Sequence, residues 1–208
     1  MVKSLKVIAI LASALAFVAC GSDSSDSNAP AGLNAETAAA AVNTYAEIAY
    51  ATYSDSLITA QALDQAIIAF VDAPSVDGLE AAKTAWLAAR EPYLQTEVYR
   101  FYEGPIDDAE GPEGLLNAWP MDEAYVDYVE GDGGESSGII NDTTVDITAA
   151  ALEGLNEEGK DDNIATGYHA IEFLLWGQDL DDAGPGARPH TDYVTDGTGT
   201  TANQDRRG

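Results

Sequence analysis

The stretch from Asn34 to Val71 constrains the fold most. It is alanine-rich, Asn34 can cap it and Glu36 falls in its first turn, so it reads as one long helix. Val42, Tyr45, Ala49, Tyr53 and Leu57 recur at three- and four-residue steps, the spacing of a core-facing stripe. "DAPSVDG", Asp72 to Gly78, breaks the pattern with proline and glycine. A second helix is predicted from Leu79 to about Tyr102. Pro92 should kink it or end its first segment, because proline cannot donate to the preceding turn. A loop follows from Glu103, then short helical pieces around Pro120 and a Gly/Ser-rich loop from Gly131 to Gly138. Helical patterns return over roughly Thr143–Leu155 and Asn163–Trp176. No strand-period alternation persists and no hairpin turn separates two such runs. The expected class is therefore all-α, a bundle of about four main helices with one long loop excursion. From Gly177 to Gly208 the composition is that of a loop with no closing helix. Such a tail is either disordered or marks the chain as a fragment whose continuation packs against the first bundle, and the fragment is the expected case.

The first residues predict export. Lys3 and Lys6 form a short positive region, and Val7 to Val18 is apolar but short for a membrane span. Ala19 then precedes Cys20, as in a signal peptide over residues 1–19. Cys20 is the sole cysteine, so no intramolecular disulfide can form. A lone cysteine after an export signal predicts a lipidated N-terminus, although Phe17 stands where leucine is usual in a lipobox. "GSDSSDSNAPAG", Gly21 to Gly32, has nothing to bury and reads as a tether within residues 20–33. With no aspartate after the cysteine, the expected destination is the bacterial outer membrane, with the domain facing the periplasm. The net charge of -27 argues against nucleic acid as a partner, since phosphate contacts require a basic surface. It suits the attraction of cations and equally suits a solvated acidic surface.

Two stretches carry candidate chemistry. In "GYHAIEFLLWGQD", Gly167 to Asp179, His169 and Glu172 lie three residues apart and so share a helix face. Imidazole nitrogen and carboxylate oxygen both ligate zinc or iron(II). A core histidine hydrogen-bonded to a glutamate explains the same spacing. Gly167 leaves room for close approach of another backbone. In "WLAAREPYLQTEVYRF", Trp86, Arg90, Tyr93, Glu97 and Arg100 recur at helical steps and mix aromatic, cationic and anionic groups on one face. A solvated face does not need those rings and a core face does not need two arginines, so the pattern suits a functional cleft. His190, in "ARPHTD", reads as a surface-loop histidine.

These blocks, "GYHAIEFLLWGQD", "EPYLQTEVYRFYEGPID" and "LNAWPMDE", taken with the closing "RRG", resemble the imelysin-like family over Asn34 to Gly208. The resemblance corresponds to the N-terminal half of a typical member. It implies a fold of duplicated helical bundles, exported and commonly lipid-anchored in bacteria, with the G-x-H-x-x-E signature at the domain interface. It also implies that His169 and Glu172 are metal ligands, with Glu97 as a candidate third. The family was named for a metallopeptidase and includes iron-regulated periplasmic proteins linked to iron uptake. A zinc peptidase needs three ligands, an open position and a base. No H-E-x-x-H motif is present here, and the candidates for a base are Asp107 and Asp122. The expected function is thus binding of a divalent metal, iron or zinc, in iron acquisition with uptake partner proteins. The alternatives are a zinc-type peptidase acting on exposed peptides and a metal-free protein-interaction module.

Overall fold

The computed structural model describes residues 34–131 and 137–208. The predicted signal peptide, Cys20, the tether and most of the Gly131–Gly138 loop lie outside the described residues. The chain divides into two units, Met1–Ala40 and Ala41–Gly208. Of the first, the described part is Asn34–Ala40, where the Asn34 side chain accepts from the Thr37 backbone N–H at 2.8 Å and caps helix α1.

The described residues are helical, without strands, so the fold is all-α. Helix α1 spans Ala35–Asp72 and α2 spans Val76–Gln95, with Ser75 capping α2 by accepting from Gly78 N–H at 3.1 Å. Short helices follow: α3 (Glu113–Asn117), α4 (Glu123–Val126) and α5 (Ala149–Leu155). The last, α6 (Gly167–Trp176), carries the His/Glu pair. Among the described residues no helix is long and apolar enough to cross a membrane.

The core is built where α2 meets α6. Leu79, Ala82, Trp86, Ala89 and Tyr93 are buried at alternating three- and four-residue steps along α2. They close on Tyr168 and Leu175 of α6 and on Leu63 and Phe70 of α1. Ala82 and Ala89 are both 0% exposed, and their small side chains let backbones approach. Each large side chain buried in this way contributes about 1.5–3 kcal/mol.

Four expectations change. The α1 stripe is buried only in part: Val42 and Leu57 are 66% and 60% exposed, while Ser56, Leu63 and Phe70, seven apart, are buried. These three continue the heptad of Val42 and Ala49, but residues 34–48 are exposed throughout, so the predicted face is a packing face only further along the helix. Secondly, Pro92 stands inside α2, which runs three residues past it before tightening into a 3-10 turn at Thr96–Tyr99. Thirdly, the predicted Thr143–Leu155 helix begins only at Ala149, after the Thr148 cap. The Asp142 carboxylate takes the Thr144 N–H at 2.9 Å and its hydroxyl at 2.6 Å, a turn that competes with helix. Only α1, α2 and α6 are then substantial, fewer than the four main helices expected.

The fourth change is the tail, which has a buried core of its own. Asp127 at the end of α4 is 0% exposed and accepts from Arg188 at 2.7 Å. It is also clasped by Arg207 through two hydrogen bonds, at 2.7 and 2.9 Å. Asp192, 1% exposed, accepts from Arg188 at 3.1 Å and from the Tyr128 hydroxyl at 2.7 Å. Two arginines and two aspartates thus neutralise each other away from water, as buried charges must. Arg206 donates to the backbone carbonyls of Ile139, Ile140, Asp142 and Val145. Loop composition disguised this, since the tail is fastened by paired charges and not by apolar periodicity.

Candidate functional site

Helix α6 starts abruptly. Thr166 and Ala165 are extended, their N–H groups held by the Asn156 side chain at 3.3 and 3.0 Å, and so the helix begins at Gly167 and not at Asn163. Gly167 adopts φ 83°, and a Cβ there would sit 2.5 Å from the Leu116 carbonyl oxygen. Glycine is required twice over, for the backbone angle and for the contact with α3. The close approach brings the segment after α3, with Trp119, alongside the first turn of α6.

His169 Nδ1 lies 3.0 Å from Glu172 Oε2, and the His169 ring packs against Trp119 with centroids 4.7 Å apart and planes tilted by 49°. The histidine side chain is 16% exposed and the glutamate 42%, so the pair faces outwards from the core. It opens into a cleft of about 490 Å³ whose walls include Trp86, Trp119, Trp176, Phe173 and Met121. Glu123 and Asp179 share that cleft with Glu172, and among the described residues no lysine or arginine lines it. The Glu123 carboxyl is held above its ordinary range, first by burial and then by the charges of Asp179 and Asp122, with Arg188 opposing. The cleft lining therefore brings three carboxylates together without a lysine or arginine.

Beneath it, the α2 face predicted from sequence is assembled as a support. Trp86 donates its indole N–H to the Tyr168 carbonyl at 2.9 Å. Arg90 lies over the Trp86, Tyr93 and Tyr168 rings and donates to Asn117 at 2.6 Å. Tyr93 donates to Glu113 at 2.8 Å, and Arg100 both pairs with Glu113 and lies 4.9 Å over the Tyr93 ring. Burial first, then the bond to Glu113, raises the Tyr93 hydroxyl's pKa well above its usual value, so it stays a donor.

Glu97 does not join the pair. It is exposed, it does not line the cleft, and Arg100 pairs with Glu113 in its place. Among the described residues no three histidine, cysteine, aspartate or glutamate side chains form a group that could hold a metal ion. The reason lies in the backbone. The helix period ends at Gln95, and the 3-10 turn that follows has three residues per turn, which rotates Glu97 off the Trp86–Tyr93 stripe. Asp122 caps α4 through Ala124 N–H at 3.1 Å, and Asp107 holds the loop by accepting from Gly104 and Tyr102 N–H at 2.8 and 3.2 Å. His190 starts a 3-10 turn in the tail. The cleft residues not predicted are Trp119, Met121, Glu123, Trp176 and Asp179. The last two adjoin the His/Glu signature, and the first three stand in the "WPMDE" block, so adjacency to those blocks was the available signal.

Fold and cleft together define an all-helical protein with a half-open, acidic, tryptophan-walled site beside a His/Glu pair. A peptidase family model described as Imelysin matches residues 49–206, and the chain belongs to the imelysin family. It is also 33% identical over 130 residues to "Iron-regulated protein A" of Synechococcus elongatus. The alignment covers 62% of this chain and 29% of that protein, so the chain spans well under half the length of this relative.

Proposed function

We propose that this is an exported imelysin-family protein of iron handling, in which His169 and Glu172 head a metal-binding cleft. The observation that carries the reading is the His169–Glu172 pair opening into a cavity with two further carboxylates and no basic side chain. One imidazole with several carboxylates suits iron or manganese better than structural zinc. The donor chemistry fits, and the pair supplies two ligands. Glu123, Asp179 or water are the remaining candidates, in place of Glu97. A bound iron would contribute Lewis acidity or redox chemistry. Those side chains would hold the cation, and Trp119 and Phe173 would keep the site partly dry. The name of the cyanobacterial relative supports the link to iron.

Export and anchoring belong to the same proposal. Cys20 would carry lipid and hold the domain at the outer membrane, where iron-uptake proteins would be its partners. Cys20→Ser should move the protein from the membrane to the soluble periplasmic fraction, and retention in the membrane would reject the anchor.

The raised Glu123 carboxyl supports a second reading, a zinc-type peptidase with Glu123 as base. Elemental analysis and metal-induced melting shifts of the full-length protein test the first reading. His169→Ala and Glu172→Ala should each remove the shift, and His190→Ala should keep it. A metal present at a hundredfold excess over its Kd would stabilise by about 2.7 kcal/mol. Equal shifts in wild type and His169→Ala would leave the pair as packing and favour an interaction module. Cleavage of an unstructured peptide that is lost in Glu123→Gln would favour the peptidase.

A further inference from the structure

We propose that the cleft receives the cationic end of a basic side chain, lysine or arginine, presented by a polypeptide. The ammonium or guanidinium group would lie against Trp119, with Glu123 and Asp179 as counter-charges. All three tryptophans of the chain, Trp86, Trp119 and Trp176, line this one cavity. Concentrating every indole in a single half-open cleft is more than packing requires, since Trp119 is 67% exposed. An indole face attracts cations, most strongly among the aromatic rings. The same walls already do so within the protein: Lys83 Nζ lies 5.6 Å over the Trp176 ring and the Arg90 guanidinium 5.7 Å over Trp86. Over Trp119 the described residues place no cation, only the His169 ring at one face.

The remaining walls suit the stem of a basic residue. Leu87, Met121 and Phe173 offer apolar contact to methylenes, while Glu123, Asp179 and Glu172 supply charge deeper or at the rim. The overall charge of -27 steers basic ligands towards the surface without choosing the site. A linear peptide carries stem and charge together. A bare inorganic cation has no methylene stem to lay against Leu87, Met121 and Phe173. This inference does not rest on the metal reading.

The test uses the full-length protein in chelator, so that its failure is separate from failure of the metal proposal. Tryptophan fluorescence is titrated with blocked lysine (N-acetyl-lysine methylamide), the arginine equivalent and uncharged N-acetyl-norleucine methylamide. Lysine and arginine probes should saturate the signal, and norleucine should bind about tenfold more weakly or not at all. Glu123→Gln and Asp179→Asn should each weaken the lysine probe several-fold. Glu47→Gln, a distant exposed change on α1, should not. Trp119→Leu should weaken binding, and Trp119→Phe should recover part of it, read from the two remaining tryptophans. Equal binding of lysine and norleucine, or equal effects of Glu123→Gln and Glu47→Gln, would overturn the proposal.

Discussion

Two regions of this molecule use the same residue types to opposite ends. Around Asp127, two arginines and two aspartates are nearly invisible to water, and each carboxylate is matched by a guanidinium. Around His169, a glutamate and two further carboxylates share a half-open cleft that no lysine or arginine among the described residues lines. The first arrangement is charge-paired and closed, so its charges secure structure. The second is unsatisfied and accessible, and unpaired charge in a partly desolvated cavity is where a ligand gains most. Counting acidic residues would not separate the two regions. Burial and pairing do.

The sharpest break of the comparison is Asp127→Ala. It leaves two buried guanidinium groups with Asp192 as the remaining carboxylate of the cluster, and should cost about 3–5 kcal/mol in chemical denaturation. A loss below about 1 kcal/mol would mean that the tail is not fastened as described. Gly167→Ala comes next: positive φ and the Leu116 carbonyl at 2.5 Å should together cost about 1–3 kcal/mol, and should disturb the placing of Trp119 against His169. A shift of the tryptophan spectrum in this variant, measured in the native state, would report that disturbance; an unchanged spectrum would detach α6 from the cleft wall.

On the open side the effects should be small. Glu172→Gln should change stability by less than about 1 kcal/mol, because an exposed pair contributes little, while abolishing any metal-induced melting shift. A large loss of stability would move the pair into the structural class. The smallest effect concerns Glu123. Its carboxyl binds a proton more tightly in the folded state than a free glutamate does, chiefly because it is partly buried. The contribution is therefore favourable at low pH and is lost as pH rises through the raised folded value. Glu123→Gln should leave the protein slightly more stable than wild type near neutrality, with the difference vanishing below about pH 4. Melting curves across that range check the sign, and a difference that grows on acidification would contradict it.

Much of this was legible in local patterns. Asn34 as cap, the long first helix, the α2 face of Trp86, Arg90 and Tyr93, and the same-face spacing of His169 and Glu172 all follow from periods and caps. These are properties of neighbours along the chain. Glu97 failed because a few residues of 3-10 geometry changed the period between Gln95 and Arg100. The first part of the α1 stripe stays exposed because spacing marks a face and not whether a neighbour covers it. The tail was misread because ion pairs between residues such as Asp127 and Arg207 leave no periodic trace.

What the sequence alone determined is the helical class, the family blocks and the donor pair on one turn of α6. All of these depend on spacings shorter than two helical turns, where backbone geometry leaves few choices. Tertiary structure alone decided that Trp119, Glu123 and Asp179 meet beside that pair. It also decided that Arg188 and Arg207 converge on Asp127 and that Glu97 stays out. Such meetings join residues tens of positions apart, and are set by which side chains can be desolvated together. That cost is fixed only when the whole set of partners is in place.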